Sequence, residues 1–322
     1  MKKLFLILTI LLLFLLGGCQ TKQDTVTYNG MFFDTVISVT VYDTPKKTLE
    51  QDIMEFCRKY DNLLSRTNPE SEISKINSAQ GNPTKVSPET IEILEKSIEY
   101  SQLTGGAFDI TIGPLVDLWD FKKSHPTLPD QKDIDEALSH VDYTKIKIDK
   151  DTVTLEDPLA KIDLGGIAKG YIGDQLKTFL KEQGIQTALI NLGGNIVVFG
   201  EKSDHSPFHI GIQKPFDETG TPITSMEIRD ASLVTSGVYE RYFEFNQTLY
   251  HHLLDPKTGM PSQSPLYSAT ILCESSAQAD ALSTACFVLG VDQSKELITQ
   301  LKDVTAIFIT DDNQIKKLET ID

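Results

Sequence analysis

Three oxygen-bearing side chains stand close together in a segment that is otherwise almost entirely small or apolar, residues 277–286. They are Asp280, Ser283 and Thr284, and spacings of three and four residues put them on one face of a helix. A carboxylate buried there is costly unless it is protonated, hydrogen-bonded or bound to a cation. Carboxylate and hydroxyl oxygens with a backbone carbonyl suit a hard divalent ion, most simply Mg2+. The alternative is that Asp280 only accepts hydrogen bonds from hydroxyls of its own turn.

A pair of glycines, Gly165 and Gly166, follows a carboxylate at the end of an apolar run and precedes a helical pattern that extends to residue 182. The pattern predicts a strand, a tight turn and a helix. Glycines allow close approach of a ligand, and the first helical turn leaves N–H groups free, which suits a phosphate. Ile167 breaks the dinucleotide-binding fingerprint, and Tyr171 stands where a P-loop has lysine. The alternative is an ordinary strand-to-helix corner.

His252 is a further candidate for chemistry. It lies on a predicted strand just before the turn at Asp255, and its neighbour His251 should point to the opposite face of that strand. Catalytic groups often lie near such turns. A histidine here is either a proton acceptor in a ligand cleft or a structural hydrogen-bonding group.

Two further features bear on ligand binding. The loop 104–109 uses glycines to deliver Asp109 to the edge of an apolar segment, which is typical of a ligand loop. The single tryptophan, Trp119, allows two interpretations, a stacking contact with an aromatic ligand or a place in the core. Its Leu-Trp-x-Phe surroundings favour the core.

The elements that must position these residues are strand-rich segments with a few long helices, and hairpins join several of the strands. This pattern favours an α+β fold with mixed, largely antiparallel sheets and packed helices over a doubly wound parallel sheet. The predicted helices cover 47–64, 88–103, a short acidic stretch within 122–142, 167–182 and 276–289; the predicted strands lie within 28–41, 143–164, 188–198, 208–273 and the segment that ends near 318.

The N-terminus has the pattern of a targeting segment. Lys2 and Lys3 precede an apolar run from residue 4 to 16, and Gly17 and Gly18 come directly before Cys19. We expect residues 1–18 to be a lipoprotein signal peptide, Cys19 to be the lipidated first residue of the mature chain, and 19–27 to be a tether to a domain over 28–322. The alternative is an uncleaved anchor. Either arrangement predicts an extracytoplasmic protein anchored in the membrane.

Charge and cysteine content exclude several classes of function. The formal net charge is −16, and it becomes −18 if a signal with two lysines and no acids is removed. Such a chain is a poor partner for nucleic acid or for an anionic membrane surface. Cys57, Cys273 and Cys286 show no metal-binding spacing, and we expect them to be buried, inert thiols.

The chain resembles the family of FAD:protein FMN transferases (ApbE) over roughly residues 28–320. The resemblance rests on seven motifs in order, which are Ser71-Glu72-Ile73-Ser74-Lys75-Ile76-Asn77, Gly106-Ala107-Phe108-Asp109, Asp163-Leu164-Gly165-Gly166-Ile167-Ala168-Lys169-Gly170, Asn191-Leu192-Gly193-Gly194-Asn195, Thr235-Ser236-Gly237, the stretch from His252 to Gly259, and Ala279-Asp280-Ala281. It implies an ApbE/T-fold-like architecture.

The resemblance also implies an activity: a Mg2+-dependent enzyme takes the FMN half of FAD, attaches it through a phosphodiester to a threonine of another protein, and releases AMP. Asp280 and Thr284 match the family's metal ligands, with Ser283 beside them and the carbonyl of Gly166 completing the set. The positions that match FAD contacts are Met31, Ala107, Phe108, Asp109, Asp163, Lys169 and Leu254, and Thr67 falls where relatives often carry tyrosine.

The hypothesis is that a metal ion held by Asp280 and Thr284 would bridge the diphosphate at the glycine pair. Lys169 would add positive charge, and His252 would accept the proton of the incoming threonine. The family's acceptor motif is missing from the sequence, so the acceptor is expected to be another, extracytoplasmic protein. Two alternatives stay open. One is an FAD pyrophosphatase that releases free FMN and AMP from the same site; the other is a flavin- or solute-binding lipoprotein.

Overall fold

The computed structural model describes residues 25–123 and 126–320. The helices in this part are α1 (Leu49–Leu64), α2 (Glu72–Ser78), α3 (Pro88–Leu103), α4 (Gly113–Trp119), α5 (Gln131–Leu138), α6 (Ala168–Glu182) and α7 (Ser276–Ile298). The strands are β1 (Val26–Phe32), β2 (Thr35–Val41), β3 (Thr84–Lys85), β4 (Ile146–Asp149), β5 (Thr152–Leu155), β6 (Ala188–Leu192), β7 (Asn195–Phe199), β8 (Phe208–Gln213), β9 (Pro222–Ile228), β10 (Ser232–Gly237), β11 (Tyr242–Phe245), β12 (Thr248–His251), β13 (Leu266–Cys273), β14 (Thr305–Thr310) and β15 (Ile315–Glu319).

The largest sheet among the described residues has eight strands in the order β1-β2-β6-β7-β10-β13-β14-β15. Each neighbouring pair in it is antiparallel. Three smaller antiparallel groups accompany it, namely β3-β5-β4, β8-β9 and β11-β12. The predicted α+β class with largely antiparallel sheets is therefore confirmed.

The two faces of the large sheet are covered differently. Helices α6 and α7 pack on one face, where Gly173 of α6 lies against Val197 of β7. The hairpin β8-β9 packs on the other face, and its apolar residues Phe208, Ile212 and Ile228 join a cluster of buried sheet residues. Burial of apolar side chains on both faces explains why the central strands are almost continuously apolar.

Helices α6 and α7 cross in very close contact. At Gly170 a β-carbon would come 2.7 Å from Cβ of Asp280 and even closer to the carbonyl oxygen of Ser276, so only glycine allows this approach. The first turn of α7 is capped by α6: the carboxylate of Asp174 accepts hydrogen bonds from the hydroxyl of Ser275 (2.8 Å) and the N–H groups of Ser276 (2.8 Å) and Ala277 (3.0 Å). These contacts fix where α7 carries its polar residues.

The core contains the residues that the sequence assigned to it. Cys57, Cys273 and Cys286 are buried, and this burial raises the pKa of each thiol to about 12, which keeps the thiols protonated and inert. Trp119 is 1% exposed, and its indole N–H donates to the carbonyl of Gly259 at 2.9 Å. The core interpretation of Trp119 is confirmed.

Several local predictions need correction. In the part of the chain that the structure describes, the apolar run before the glycine pair is not a strand. It forms an isolated parallel bridge between Ile112 and Lys161, and the N–H of Asp163 donates to the carbonyl of Ile110 at 2.7 Å. Helix α2, whose N-cap is Ser71, lies in a stretch for which no helix was predicted. Helix α7 continues past residue 289 to Ile298, with a break at Gly290. His252 follows β12 instead of lying within it.

The structure describes only part of the N-terminal region for which predictions were made. Strand β1 begins at Val26, inside the stretch 19–27 that was predicted as a tether. The signal peptide over 1–18 and the lipidation site Cys19 lie outside the described residues. Among the helices that the structure describes, none is long and apolar enough to cross a membrane.

Candidate active site

Asp280 is the buried carboxylate at the centre of the site. It lies in the second turn of α7 and is only 3% exposed. Its Oδ2 accepts a hydrogen bond from the backbone N–H of Gly170 at 2.9 Å, and its Oδ1 lies 4.0 Å from Nζ of Lys169. Both partners come from the first turn of α6. Oδ1 therefore faces the positively charged N-terminal end of α6.

A group of three hydroxyls lies beside this carboxylate. Ser283 donates to the backbone carbonyl of Asp280 at 2.9 Å, and Ser236 on β10 lies 2.8 Å from the hydroxyl of Ser283 and 3.2 Å from that of Thr284. The alternative in which Asp280 accepts from hydroxyls of its own turn is not what is found, because Ser283 bonds the carbonyl instead. Ser236 lies in the Thr235-Ser236-Gly237 motif but is not among the predicted site residues; the structure adds it to the site.

The glycine pair comes next to these hydroxyls. A β-carbon at Gly166 would stand 3.1 Å from the hydroxyl oxygen of Thr284 and 3.1 Å from the ring of Phe108. Position 166 thus borders α7 on one side and the 104–109 loop on the other. The glycine bend and helix α7 therefore meet, as the family resemblance implied, while their role in binding a metal stays a prediction.

Lys169 supplies positive charge at the same place. Its ammonium group lies 3.5 Å from the carbonyl oxygen of Gly165 and 4.0 Å from Oδ1 of Asp280, and its side chain is about one quarter exposed. A lysine held between the bend and the buried carboxylate can contact an anionic ligand that enters from solvent.

Asp163 and Arg66 hold the bend in shape. Asp163 accepts a hydrogen bond from the N–H of Gly165 at 2.7 Å, and its second oxygen lies 3.2 Å from Nε of Arg66. Arg66 also donates to Asp117 at 2.6 Å, and Lys161 donates to the other oxygen of Asp117 at 2.7 Å. This chain of charges was not predicted, since its members lie far apart in the sequence.

His252 comes directly after β12 and lies next to the backbone of Arg241. Its Nδ1 is 3.2 Å from the carbonyl oxygen of Arg241, and because a carbonyl can only accept, Nδ1 carries the proton and Nε2 is left as a proton acceptor. Desolvation lowers the pKa of His252 to about 3, and the positive charges of Arg241 and Lys169 act in the same direction.

The neighbouring His251 points the other way, as predicted. Its Nε2 lies 3.2 Å from the carbonyl oxygen of Ser262, and its ring packs edge-on against Phe287 in the core. Burial lowers the pKa of His251 to about 4. His251 is therefore a structural residue.

The loop 104–109 contributes mainly buried side chains. Ala107 and Phe108 are almost fully buried, with the Phe108 ring against Gly166. Both oxygens of Asp109 are occupied within the protein, by the N–H and hydroxyl of Thr111 (2.7 and 2.6 Å) and by the N–H of Tyr143 (3.1 Å). Burial raises the pKa of Asp109. Its carboxylate shapes the loop, and contact of this loop with FAD stays a prediction.

The remaining predicted contact positions lie around the periphery. Met31 is 68% exposed on the edge strand β1, and Thr67 is exposed in the loop after α1, with its N–H donating to Ser65. Leu254 is buried in a cluster with Trp119, so only its backbone is left for a ligand. For these three positions contact with FAD stays a prediction.

The donor set fits a hard divalent cation only if the ligand contributes to it. The described residues contain no group of three or more His, Cys, Asp or Glu side chains that could hold a metal ion. Asp280, the hydroxyl of Thr284 and the carbonyl of Gly166 are all oxygen donors, which suits Mg2+. With a single carboxylate, such an ion would have to share phosphate oxygens or water with its substrate.

Comparison with known proteins agrees with this geometry. A family model described as the ApbE family matches residues 33–308. The FAD:protein FMN transferase of Klebsiella pneumoniae (strain 342) is 35% identical over 292 residues, which are 90% of each chain. That of Treponema pallidum (strain Nichols) is 32% identical and covers 93% of this chain and 89% of its own.

Solved structures give the same result. The ApbE protein from Thermotoga maritima MSB8 superimposes with a TM-score of 0.85 at 29% identity, covering 92% of this chain and 97% of its own. The flavin transferase ApbE from Vibrio cholerae superimposes with a TM-score of 0.82 at 27% identity, with the same coverage.

Proposed function

The chain belongs to the ApbE family, and from that premise we infer that it transfers FMN from FAD to an acceptor protein. Relatives that share about a third of its residues over most of its length are named FAD:protein FMN transferases. We further propose that the acceptor group is a threonine hydroxyl, that the new bond is a phosphodiester, and that AMP leaves.

The observation that best supports this function is the arrangement around Asp280. One oxygen of this carboxylate is fixed by the N–H of Gly170, and the other faces Lys169. The hydroxyl of Thr284 adjoins Gly166 on the same side. Oxygen donors and a lysine at a glycine bend are what a diphosphate bound with a metal ion requires.

The residues proposed to hold Mg2+ are Asp280, Thr284 and the carbonyl of Gly166, with Ser283 beside them. A bound Mg2+ would neutralise charge on the diphosphate and make its phosphorus easier to attack. The protein's own residues orient the diphosphate and offset part of its negative charge. Lys169 contacts the anionic oxygens, while Asp163, held by Arg66, keeps the bend open for the backbone to approach them.

His252 is proposed as the group that receives the proton of the threonine hydroxyl. Its Nδ1–H donates to the carbonyl of Arg241, which holds the ring in one orientation and leaves Nε2 unprotonated. The threonine oxygen then forms a bond to the phosphorus of the FMN half, and the bond from that phosphorus to the oxygen of the AMP phosphate breaks. The departing AMP keeps the bridging oxygen with its electron pair, and His252 passes the proton on to that phosphate or to water.

We propose that the protein works at the extracytoplasmic face of the cell membrane and is anchored there through a lipid on Cys19. The support is the sequence alone, namely the two lysines, the apolar run and the small residues before that cysteine. The acceptor would then be an extracytoplasmic protein.

One incubation separates the proposed transfer from its alternatives. The protein is mixed with FAD, Mg2+ and extracytoplasmic proteins co-expressed with it, and the products are separated by denaturing electrophoresis and by chromatography. Covalent flavin fluorescence on a protein band, with AMP in solution, supports transfer. Free FMN with AMP and no labelled band would indicate a pyrophosphatase, and FAD bound intact without metal would indicate a binding protein.

A further inference from the structure

The side-chain amide of Asn195 is buried, and its NH2 group donates no hydrogen bond within the described part of the fold. Asn195 is the first residue of β7, and only 3% of its surface is exposed. Its Nδ2 makes no hydrogen bond to any residue that the structure describes. An unpaired buried amide is unfavourable for stability. A bound ligand with an acceptor oxygen would satisfy it.

Contacts along β7 locate this amide relative to α6. The ring of Phe199 lies 5.4 Å from Nζ of Lys181 near the end of α6, and Val197 lies against Gly173 in the middle of that helix. Side chains alternate along a strand, so Asn195 faces the helices as Val197 and Phe199 do. The progression from Phe199 through Val197 leads toward the beginning of α6, where Lys169 and the glycine bend lie.

The pairing of β7 with β10 is a second indication of where Asn195 lies. Ser232 pairs with Val197, and Leu233 pairs with Ile196, so the next position along β10 comes level with Asn195. Ser236 lies two residues further on the same face, and its hydroxyl is 3.2 Å from that of Thr284. These contacts put Asn195 on the face of the sheet that carries the helices, in the direction of the first turn of α6 and of the hydroxyls of Ser236 and Thr284.

We propose that Asn195 binds the substrate by donating a hydrogen bond from Nδ2 to an oxygen of the FAD diphosphate. This inference rests on the proposed function. An amide NH2 group can only donate, and anionic phosphate oxygens can only accept. In a chain with a net charge of −16, a neutral donor adds attraction for the diphosphate without adding a buried charge. The unpaired donor in the free protein becomes paired when the substrate enters.

The test is a pair of matched substitutions within one turn, Asn195→Asp and Asn191→Asp. Asn191 accepts from the N–H of Gly194 at 2.9 Å through its Oδ1, and aspartate can accept in the same way. At position 195 aspartate has nearly the same shape but loses both N–H donors and repels phosphate. We expect Asn195→Asp to raise the Kd for FAD and for ADP on the order of 10–100-fold, and Asn191→Asp to leave both unchanged.

A third substitution distinguishes ligand binding from a structural role. Asn195→Leu removes the unpaired amide at similar volume, so the ligand-free protein should unfold at the same or a higher temperature while its affinity for ADP falls. A lower Tm with unchanged ADP affinity would overturn the inference, because the amide would then serve the fold.

The remaining outcomes are equally decisive. If Asn195→Asp weakens FAD binding but leaves ADP binding unchanged, the amide does not contact the diphosphate and the inference is wrong. A wild-type protein that binds both nucleotides yet labels no acceptor would disprove the proposed transfer while leaving the binding role of Asn195 measurable. Failure of the two proposals is thus distinguishable.

Discussion

The backbone N–H of Gly170 and Oδ2 of Asp280 are joined by a 2.9 Å hydrogen bond between two helices whose contact residues are more than a hundred positions apart. This bond satisfies one of the free N–H groups at the beginning of α6, and it orients the carboxylate so that its other oxygen faces Lys169. The helix packing and the proposed metal site therefore share this pair of residues.

The close crossing of the two helices can be tested by Gly170→Ala. The added β-carbon would meet the backbone of Ser276 and lie 2.7 Å from Cβ of Asp280, so the helices must separate. We expect the free energy of unfolding to fall by about 1–3 kcal/mol and the transfer activity to fall with it. Thr178→Ala on the exposed side of α6 is the control and should change stability by less than about 0.5 kcal/mol in chemical denaturation. Equal effects of the two changes would contradict the packing argument.

The role of His252 predicts a particular pH dependence of the rate. Because its pKa is about 3, the imidazole is neutral from about pH 5 upward, and the rate should show no inflection near pH 6.5. His252→Ala should lower the transfer rate by about 10²–10⁴-fold with little change in the affinity for FAD. Single-turnover rates measured from pH 5 to 9 check both statements. A variant with the wild-type rate would make His252 a structural residue.

His251 should affect stability in acid. Its pKa is about 4 in the folded protein and about 6.5 in the unfolded chain, so between these values the unfolded state binds more protons. The contribution of neutral His251 to the free energy of unfolding is therefore complete above pH 6.5 and is lost as the pH falls toward 4. We expect His251→Gln to lose less stability than the wild type between pH 7 and 4, in thermal unfolding followed at each pH. His205→Gln, at an exposed position, is the control and should follow the wild-type curve.

Trp119 should matter for stability and hardly at all for FAD. It packs with Leu115 and Leu254, and it donates to the carbonyl of Gly259. Trp119→Ala should cost about 3–5 kcal/mol. Trp119→Phe keeps much of the packing, so the protein should fold with a lower Tm and a wild-type KM for FAD. A large increase in KM at unchanged Tm would restore the ligand-stacking interpretation.

Part of the site could be predicted from the sequence because it is local. Asp280, Ser283 and Thr284 lie within one helical turn, so the helical period alone puts them together. The glycine bend is also a local pattern, since two adjacent glycines before a helical pattern predict a tight turn, although the sequence alone does not tell a ligand-binding turn from an ordinary corner. Their meeting in space was expected from the family resemblance and is confirmed by the contact between Gly166 and Thr284.

What could not be predicted depends on long-range pairing. Ser236 reaches the site only because β10 lies beneath α7, and Arg66 reaches Asp163 across almost a hundred residues of chain. The strand predicted before the bend is wrong for a related reason. An apolar run indicates burial, but a strand also needs a continuous pairing partner, and among the described residues this run pairs only briefly with the segment 110–112. Local patterns contain no information on such partners.

The central claim is that Asp280 holds the divalent cation on which transfer depends. The most direct measurement is the rate of covalent flavin labelling of an acceptor as Mg2+ is increased, for the wild type and for Asp280→Asn, with Kd for Mg2+ determined by calorimetry in the presence of FAD. Asparagine preserves the shape and an acceptor for the N–H of Gly170 but removes the charge. We expect saturable dependence on Mg2+ in the wild type, and in the variant a weaker affinity for Mg2+ with labelling abolished. Labelling by Asp280→Asn at the wild-type rate and with the same dependence on Mg2+ would contradict the account.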